Sequence, residues 1–536
     1  MATSILPQNT NVLGRRNAKY LLAKTSFNIT KARIDTFAAM TPAQALEVLF
    51  DFSYDANWLS DIHPNELMVD NNNSVVRKMI YQWWLEKARE DTTAHHKILL
   101  FLFTSFTVDA VVSSPRFFYE YLKLLSLHTK RSYKELAFYM TKDNVMLAYL
   151  DGRTNIKNSP NENYAREFFE LFTIGKGPTD GPGSYTNYTE EDILQASKLL
   201  TGWKQGSHLL YENADPSIYG GYFKNSVHDE GDKTFSDKFN NTVITGNADD
   251  GDQELSQFVD MVFQQLATAK NICRRLYHFF VSDKISTHAE SNIIDPLAQM
   301  LYDNNYEIAV VIKELLGSLH FYDMEDDNPF DNIIGGTVKS PLDLMLSSLS
   351  YFGVEATDAY KFYALRLNDL YLSSSSMSLF SPDNVAGYPA YYQEPLRSKN
   401  WFDSNTYLPR YKFVELLLTG KSSYGTSANG NGHAKLDILS FIDNTDNIPL
   451  PYSAHQVVTT LLEDLFPDGY DNERYNYYLN TIFLNGLSPS DWTQTWDAYK
   501  NGDNEAFTQV DATEEIKIRV ANLIQAIMQS PEYQLM

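Results

Sequence analysis

The segment from Ser159 to Gly177, SPNENYAREFFELFTIGKG, constrains this chain most, because it sets a run of aromatic residues among closely spaced carboxylates and amides. Ser159, Pro160 and Glu162 have the spacing of a capping box with proline at the first helical position, where its missing N–H costs nothing, so a helix is expected to begin here. Gly175 is the expected stop. Tyr164, Phe168, Phe169, Leu171 and Phe172 supply a wide apolar surface, while Glu167 and Glu170, three residues apart, share a face. Carboxylates on so apolar a helix belong at a rim, against cations or in a polar cleft. Two readings follow. In one, Glu162 caps, Arg166 pairs with Glu170 at i,i+4 and the acids are structural. In the other, Glu167 and Glu170 split their proton affinities into an acid and a base, or hold a divalent cation through oxygen.

The surrounding pattern reads as all-α: a large multi-helix globular protein with long irregular loops and at most a small β-hairpin excursion. Helices are expected over Thr41–Phe52, opened by Thr41 and Pro42, then over 75–87, 95–106, 115–127, 133–140 and 145–150. GKGPTDGPGSYTNY is a connection, and YTEEDILQASKLLTGW is a second helix, from Tyr188 to Trp203, capped by Thr189 with Asp192 in the reciprocal position. The Gly-, Asn- and Asp-rich stretch 205–251 is expected to be irregular, with short strands around YFKNSVHDEGDKTF and NTVITG. Helices resume over 254–267, 270–281, 289–302 and 308–316. In KNICRRLYHFF, the cations Arg274 and Arg275 and the imidazole of His278 read as snorkelling groups beside an apolar face. Residues 324–336 form the best linker, dividing a 1–330 helical domain from a 331–536 helical region packed on it as one body. That second region is expected to hold helices at 341–353, 356–372, 408–418, 436–442, 455–465, 475–483 and 514–528, with 54–73 and 422–433 as loops.

Charge and cysteine usage narrow the function. The 44 basic and 68 acidic residues give a net charge of −24, which disfavours nucleic acid and anionic membrane surfaces as partners. The lone Cys273 excludes an intrachain disulfide and a cysteine-rich zinc site. No basic start followed by an apolar run marks an export signal, and no run of transmembrane length occurs. Motif by motif, a P-loop fails because Glu415 stands where its first glycine is required, and HExxH, the serine elbow and the Rossmann fingerprint are all missing. The adjacent His95 and His96 lack the i,i+4 spacing of a zinc-binding pair. Asp249, Asp250 and Asp252 miss the calcium-loop spacing and read as a solvated turn.

His228 and Asp229, with Asp232 three residues on, are stronger candidates. A histidine beside acids in a long loop can serve as general acid/base or metal ligand, and could fold over Glu167 and Glu170. Tyr388, Tyr391, Tyr392 and Trp401 either stack on a sugar or peptide or pack as a covering loop.

In that order and spacing, NENYAREFFELFTIGKG, YTEEDILQASKLLTGW and HDEGDKTF resemble the signature of the large bacterial family known as domain of unknown function 1800. RNAKYLLAKTSF, KNICRRLYHFFVSD, VKSPLDLMLSSL, LFSPDNVAGYPAYY and the closing SPEYQLM resemble its other blocks, so the likeness covers most of the chain. The resemblance implies a mainly helical protein, usually exported, and often encoded beside a second family related to alkaline phosphatases and sulfatases, a potential partner. It supplies no reaction. Two departures stand out. Leu102, Phe103, Thr104, Ser105 and Phe106 occupy the place of the family's tryptophan and His-x-His-Phe segment, which argues against a metal-dependent enzyme; Tyr388 replaces the tryptophan of its NVxGWP block.

Two functions remain open. One is a hydrolase acting on an extracellular polymer or its fragments, with Glu167, Glu170, His228 and Asp229 catalytic, a divalent cation as its conceivable cofactor, and Asn161, Arg166, Trp203 and Tyr388 contacting substrate. The other is a binding or assembly protein in which the same polar cluster is a structural network.

Overall fold

Among buried elements the His95–Ser105 helix is the most enclosed: all eleven of its residues are shielded from solvent. Its sequence, HHKILLFLFTS, is apolar around most of its circumference, so no face can be left in water and neighbours must cover every side. The Asn73–Glu90 and Pro115–Leu127 helices lie against this region, the latter burying eleven of its thirteen residues. The computed structural model describes residues 4–53, 73–211, 218–325, 333–354, 367–420, 435–502 and 510–536. The loops read at 54–73, save its last residue, and at 422–433, and residues 356–366 of the helix read at 356–372, lie outside the described residues, as does the middle of the 324–336 linker; Leu367–Leu372 forms a π-helical turn.

Helices dominate, as the patterning predicts. Thr41, Thr189 and Ser340 each accept a hydrogen bond from the third residue of the helix they precede, and the first two form reciprocal capping boxes. In place of one hairpin, three two-stranded antiparallel ladders form: Thr179–Gly181 with Ser184–Tyr185, Trp203–Tyr211 with Ile218–Phe223, and Lys233–Thr234 with Val243–Ile244. The long strand begins at Trp203, so the second helix is shorter than expected, Glu190–Leu199. Gly202, at φ +97°, makes the turn between them: a Cβ there would sit 2.9 Å from the Phe223 ring. The Pro489–Asn501 helix has a full capping box from Ser488 and Asp491, a signal the reading of the sequence passed over. Among the described residues, no helix is long and apolar enough to cross a membrane.

Residues on both sides of the 324–336 segment share one apolar cluster. Phe380 is its clearest link, fully buried with ring centroids 5.0 Å from Phe103, 5.1 Å from Trp84 and 5.4 Å from Phe118. Polar links run beside it. Lys97 forms a buried ion pair with Asp343, and Arg410, fully buried, donates to Gln534 Oε1 at 2.7 Å and to the Lys339 carbonyl at 3.0 Å. Val338 pairs with Leu535 in an isolated antiparallel bridge, so the closing residues are stitched to the segment that enters the Pro341–Tyr351 helix.

Replacing Phe380 by alanine removes the ring that four aromatic neighbours enclose, and the site is too crowded to collapse freely. The expected loss is about 3–5 kcal/mol, read as a lowered midpoint in urea unfolding.

Candidate functional site

The central helix starts later than its caps suggest. Ser159 is exposed and forms a tight turn with Ile156; Asn161 takes over, its Oδ1 accepting from the Asn163 amide at 2.9 Å while its own amide donates to Asn155 Oδ1. The helix runs over Asn163–Glu167 and then widens into a π-turn, Phe168–Phe172. A π-turn leaves carbonyls without helical partners, and side chains from elsewhere take them. Arg275 donates to the Leu171 carbonyl at 2.6 Å, Tyr133 to that of Phe172 at 2.9 Å and Asn271 to that of Thr173 at 2.8 Å. Gly175, at φ +73°, ends the element where a Cβ would sit 3.0 Å from the Asn271 side chain.

Arg166 does not pair with Glu170. Its guanidinium forks onto Glu190, at 3.0 and 2.9 Å, and also meets Glu162 at 3.1 Å, tying the central helix to the first turn of the Glu190–Leu199 helix. The extra residue in the π-turn turns Glu170 away from Arg166 and into a cleft, where Tyr188 donates to it at 3.2 Å and Lys176 lies at 3.7 Å. Glu167 is half-buried one turn earlier. Burial, with Glu170 as a like charge, pushes its carboxyl from 4.5 up to about 7, while Arg166 pulls the other way.

His228 and Asp229 sit in a different network. The imidazole is fully buried; Nδ1 lies 2.8 Å from the Thr201 carbonyl and Nε2 2.9 Å from Glu254 Oε1. Lys233, also fully buried, donates to the other oxygen of Glu254 at 2.9 Å, and the Asn247 amide donates to Oε1. Burial opposes charge on Glu254, yet the bonds from His228, Lys233 and Asn247 hold its carboxyl below the ordinary range. Asp229 accepts from the Gly231 amide and shapes the turn. This cluster staples the 205–251 excursion to the Gly251–Phe263 helix. Neither Glu167 nor Glu170 bonds to it, so the four acid/base candidates divide into two groups. Trp203 and Tyr388 are both core residues: Trp203 packs on Phe223 at 5.3 Å, and Tyr388, 2% exposed, donates to the Ser378 carbonyl between Phe103 and Trp401.

The cleft that receives Glu170 holds about 1620 Å³. One wall is a stripe of the Leu266–Phe280 helix. Asn271, Arg274, Arg275 and His278 recur at i, i+3, i+4 and i+7 and all line the cleft, while Ile272, Cys273, Leu276 and Phe280 face the core. His278 Nδ1 donates to the Ser282 carbonyl at 2.9 Å; burial, with Arg397 nearby, lowers the imidazole to about 4, so it is neutral at pH 7. Tyr277, His320 and Glu325 form a chain, the phenol 2.8 Å from His320 Nε2 and the carboxylate 2.7 Å from Nδ1. Tyr391 adds to the lining, stacked on Phe279 of the same helix at 5.4 Å. Arg274, Arg275 and His278 had been legible only as snorkelling groups; their heptad-like recurrence opposite an apolar stripe was the available signal.

Among the described residues, one group of side chains has metal-ligand character. Asp91, His95 and His96 bring one donor atom each within 4.8 Å of one another, and the adjacent rings meet at 4.9 Å instead of diverging. Asp91, however, accepts from Thr93 through Oδ1 and from the His96 amide and Nδ1 through Oδ2, at the N-terminus of a helix whose dipole favours an anion. The arrangement is a helix cap built from a carboxylate and a histidine. At the positions where the resembling family carries its His-x-His, Phe103 is in the aromatic core and Ser105, on the cleft, donates to the Phe101 carbonyl.

A family model described as "Protein of unknown function (DUF1800)" matches residues 20–535. No curated protein and no solved structure matches the chain.

Substituting Glu254→Gln strands the buried Lys233 ammonium and is expected to cost about 3–5 kcal/mol in urea unfolding. Glu167 makes a second, pH-dependent prediction. Its folded carboxyl binds a proton more tightly than the unfolded one, so stability falls as pH rises from about 4.5 to about 7. Partial exposure screens the effect to about 1 kcal/mol, and Glu167→Gln should flatten that part of the stability profile.

Proposed function

The chain belongs to the family described as protein of unknown function (DUF1800), and from this chain's own geometry we propose that it is a ligand-binding protein whose ligand lies in the cleft beside Glu170. One observation carries the reading. The polar stripe Asn271, Arg274, Arg275 and His278 lines an open groove, with Tyr391 also on its lining. Ordering charged side chains along a concave wall costs entropy and desolvation, and recognition is the ordinary return on that arrangement. The groove exceeds the roughly 300–1,000 Å³ of pockets built for one small molecule, which favours an extended ligand.

A hydrolase is the second reading, favoured by the raised carboxyl of Glu167 beside Glu170. A carboxyl raised to about 7 next to Glu170 is the pairing in which one acid donates a proton while the other stays ionised. In this version Glu167 is the proton donor and Glu170 its carboxyl neighbour on the cleft lining. His228 and Asp229 support the fold through Glu254. Turnover of a panel of chromogenic glycosides and esters would have to vanish in Glu167→Gln; full retention removes Glu167 from the chemistry.

The binding reading is tested by thermal-shift screening of glycan, peptide and metabolite panels, followed by the same titration on Ala386→Trp, a bulky group placed on the cleft lining. At least one ligand should raise the unfolding temperature of the wild type by several degrees and fail to do so in the variant. A response equal in both proteins places the ligand elsewhere.

A further inference from the structure

Six carboxylates line the cleft, and all six are engaged. Glu170 is held by Tyr188 and Lys176. Asp283 accepts from the Ser398 amide and hydroxyl, Glu290 from the Arg274 fork at 3.0 Å, and Asp323 from the amides of Ile333 and Ile334 at 2.7 and 2.9 Å. Glu325 is bound by His320, and Glu394 by Arg397 at 2.6 Å. Among the described residues this leaves three cleft cations with no carboxylate within 4.0 Å: Arg275, Lys284 and Lys399. Arg275 gives two of its five N–H groups to the carbonyls of Leu171 and Thr104; Lys284 and Lys399 stand exposed. Asp283 and Asp323 are held by neutral donors alone, so these three cations share the cleft with two carboxylates that no cation pairs, but the oxygens of those acids are already taken by amides and a hydroxyl while the cations keep donors to spare.

We propose that the ligand of this cleft is an acidic oligosaccharide whose carboxylate or sulfate groups are held by Arg275, Lys284 and Lys399. The proposal rests on the ligand-binding reading above and names its ligand class. Arg275 presents a planar fork suited to two oxygens of one anion, and its partial burial strengthens the contact by excluding water. The two lysines act as mobile point charges at the rim. Tyr391 and Phe279, stacked at 26° between planes, and the half-exposed Tyr392 offer ring surfaces to the apolar faces of sugar rings, and the amide of Asn271 and the neutral His278 suit hydroxyl groups. An oligomer of acidic sugars combines all three requirements: repeated anions, flat ring faces and hydroxyls along a groove too long for one ring.

Isothermal titration at low ionic strength decides the matter with four probes: tetragalacturonate, its fully methyl-esterified form, a κ-carrageenan tetrasaccharide and hexaglutamate. The tetragalacturonate or the carrageenan fragment is expected to bind at least tenfold more tightly than the neutral ester, and the stronger of the two identifies carboxylate or sulfate as the anion. Lys284→Gln/Lys399→Gln, both on the surface and away from the core, should lower that affinity at least fivefold with an unchanged unfolding temperature. Arg275→Lys, which keeps the charge and loses the fork, should weaken binding further. Equal binding of the neutral ester overturns the charge inference while leaving the cleft reading intact. Tighter binding of hexaglutamate makes the ligand an acidic peptide and overturns the sugar assignment. If none of the acidic sugars binds while a neutral ligand from the screen still responds to Ala386→Trp, only this inference falls.

Discussion

The guanidinium of Arg275 bonds to two carbonyls at the ends of two different helical elements: Leu171, closing the π-turn, and Thr104, near the end of the most enclosed helix. Those carbonyls point out of their own helices with no backbone donor to meet them. A cation there satisfies both and complements the negative ends of two peptide dipoles. Three helices therefore meet at one side chain. The meeting point is a spread of planar donors and not a packed apolar seam, and it lies on the lining of the cleft.

The most polar residues of the sequence serve two separate ends. Arg166 with Glu162 and Glu190, one cation between two carboxylates, and His228 with Lys233 and Glu254 are networks bonded within the protein. In the buried Lys233–Glu254 pair the desolvation of each ion offsets much of the attraction, so the pair fixes orientation more than it adds stability. The side chains that face the cleft are of another kind, with hydrogen-bonding capacity left over. Glu170 belongs to both: it ends the central helix and opens onto the groove.

Local signals in the sequence were reliable wherever one residue type determined the answer. Thr41, Thr189 and Ser340 each cap the helix that their spacing implies, and the apolar periodicity located the Pro115–Leu127 and Tyr133–Met140 helices to the residue. The π-turn at Phe168 was not legible, because its reason lies in donors from Tyr133, Asn271 and Arg275, which are distant in the chain. That turn decides where Glu170 points and why it does not meet Arg166. The prominence of HDEGDKTF likewise read as chemistry; burial of His228 and its Glu254 partner twenty-six residues on could not be seen from composition. Conversely, the cleft wall was hidden because Arg274, Arg275 and His278 on an amphipathic helix look like any solvated face until a second element stands opposite.

Phe380 fills a socket made by Tyr81, Trp84, Phe103 and Phe118, and Ser381 reaches back to Tyr81 across a sequence separation of 300 residues. On the ribosome, that socket is synthesised long before its occupant. For the interval in between, a newly made chain presents four aromatic rings on the side that Phe380 later covers, and at about 5–20 residues per second the exposure lasts tens of seconds. The ring that seals the mature protein thus also defines the period in which the unfinished one is sticky, so that its folding in a cell is timed by the arrival of a single phenylalanine.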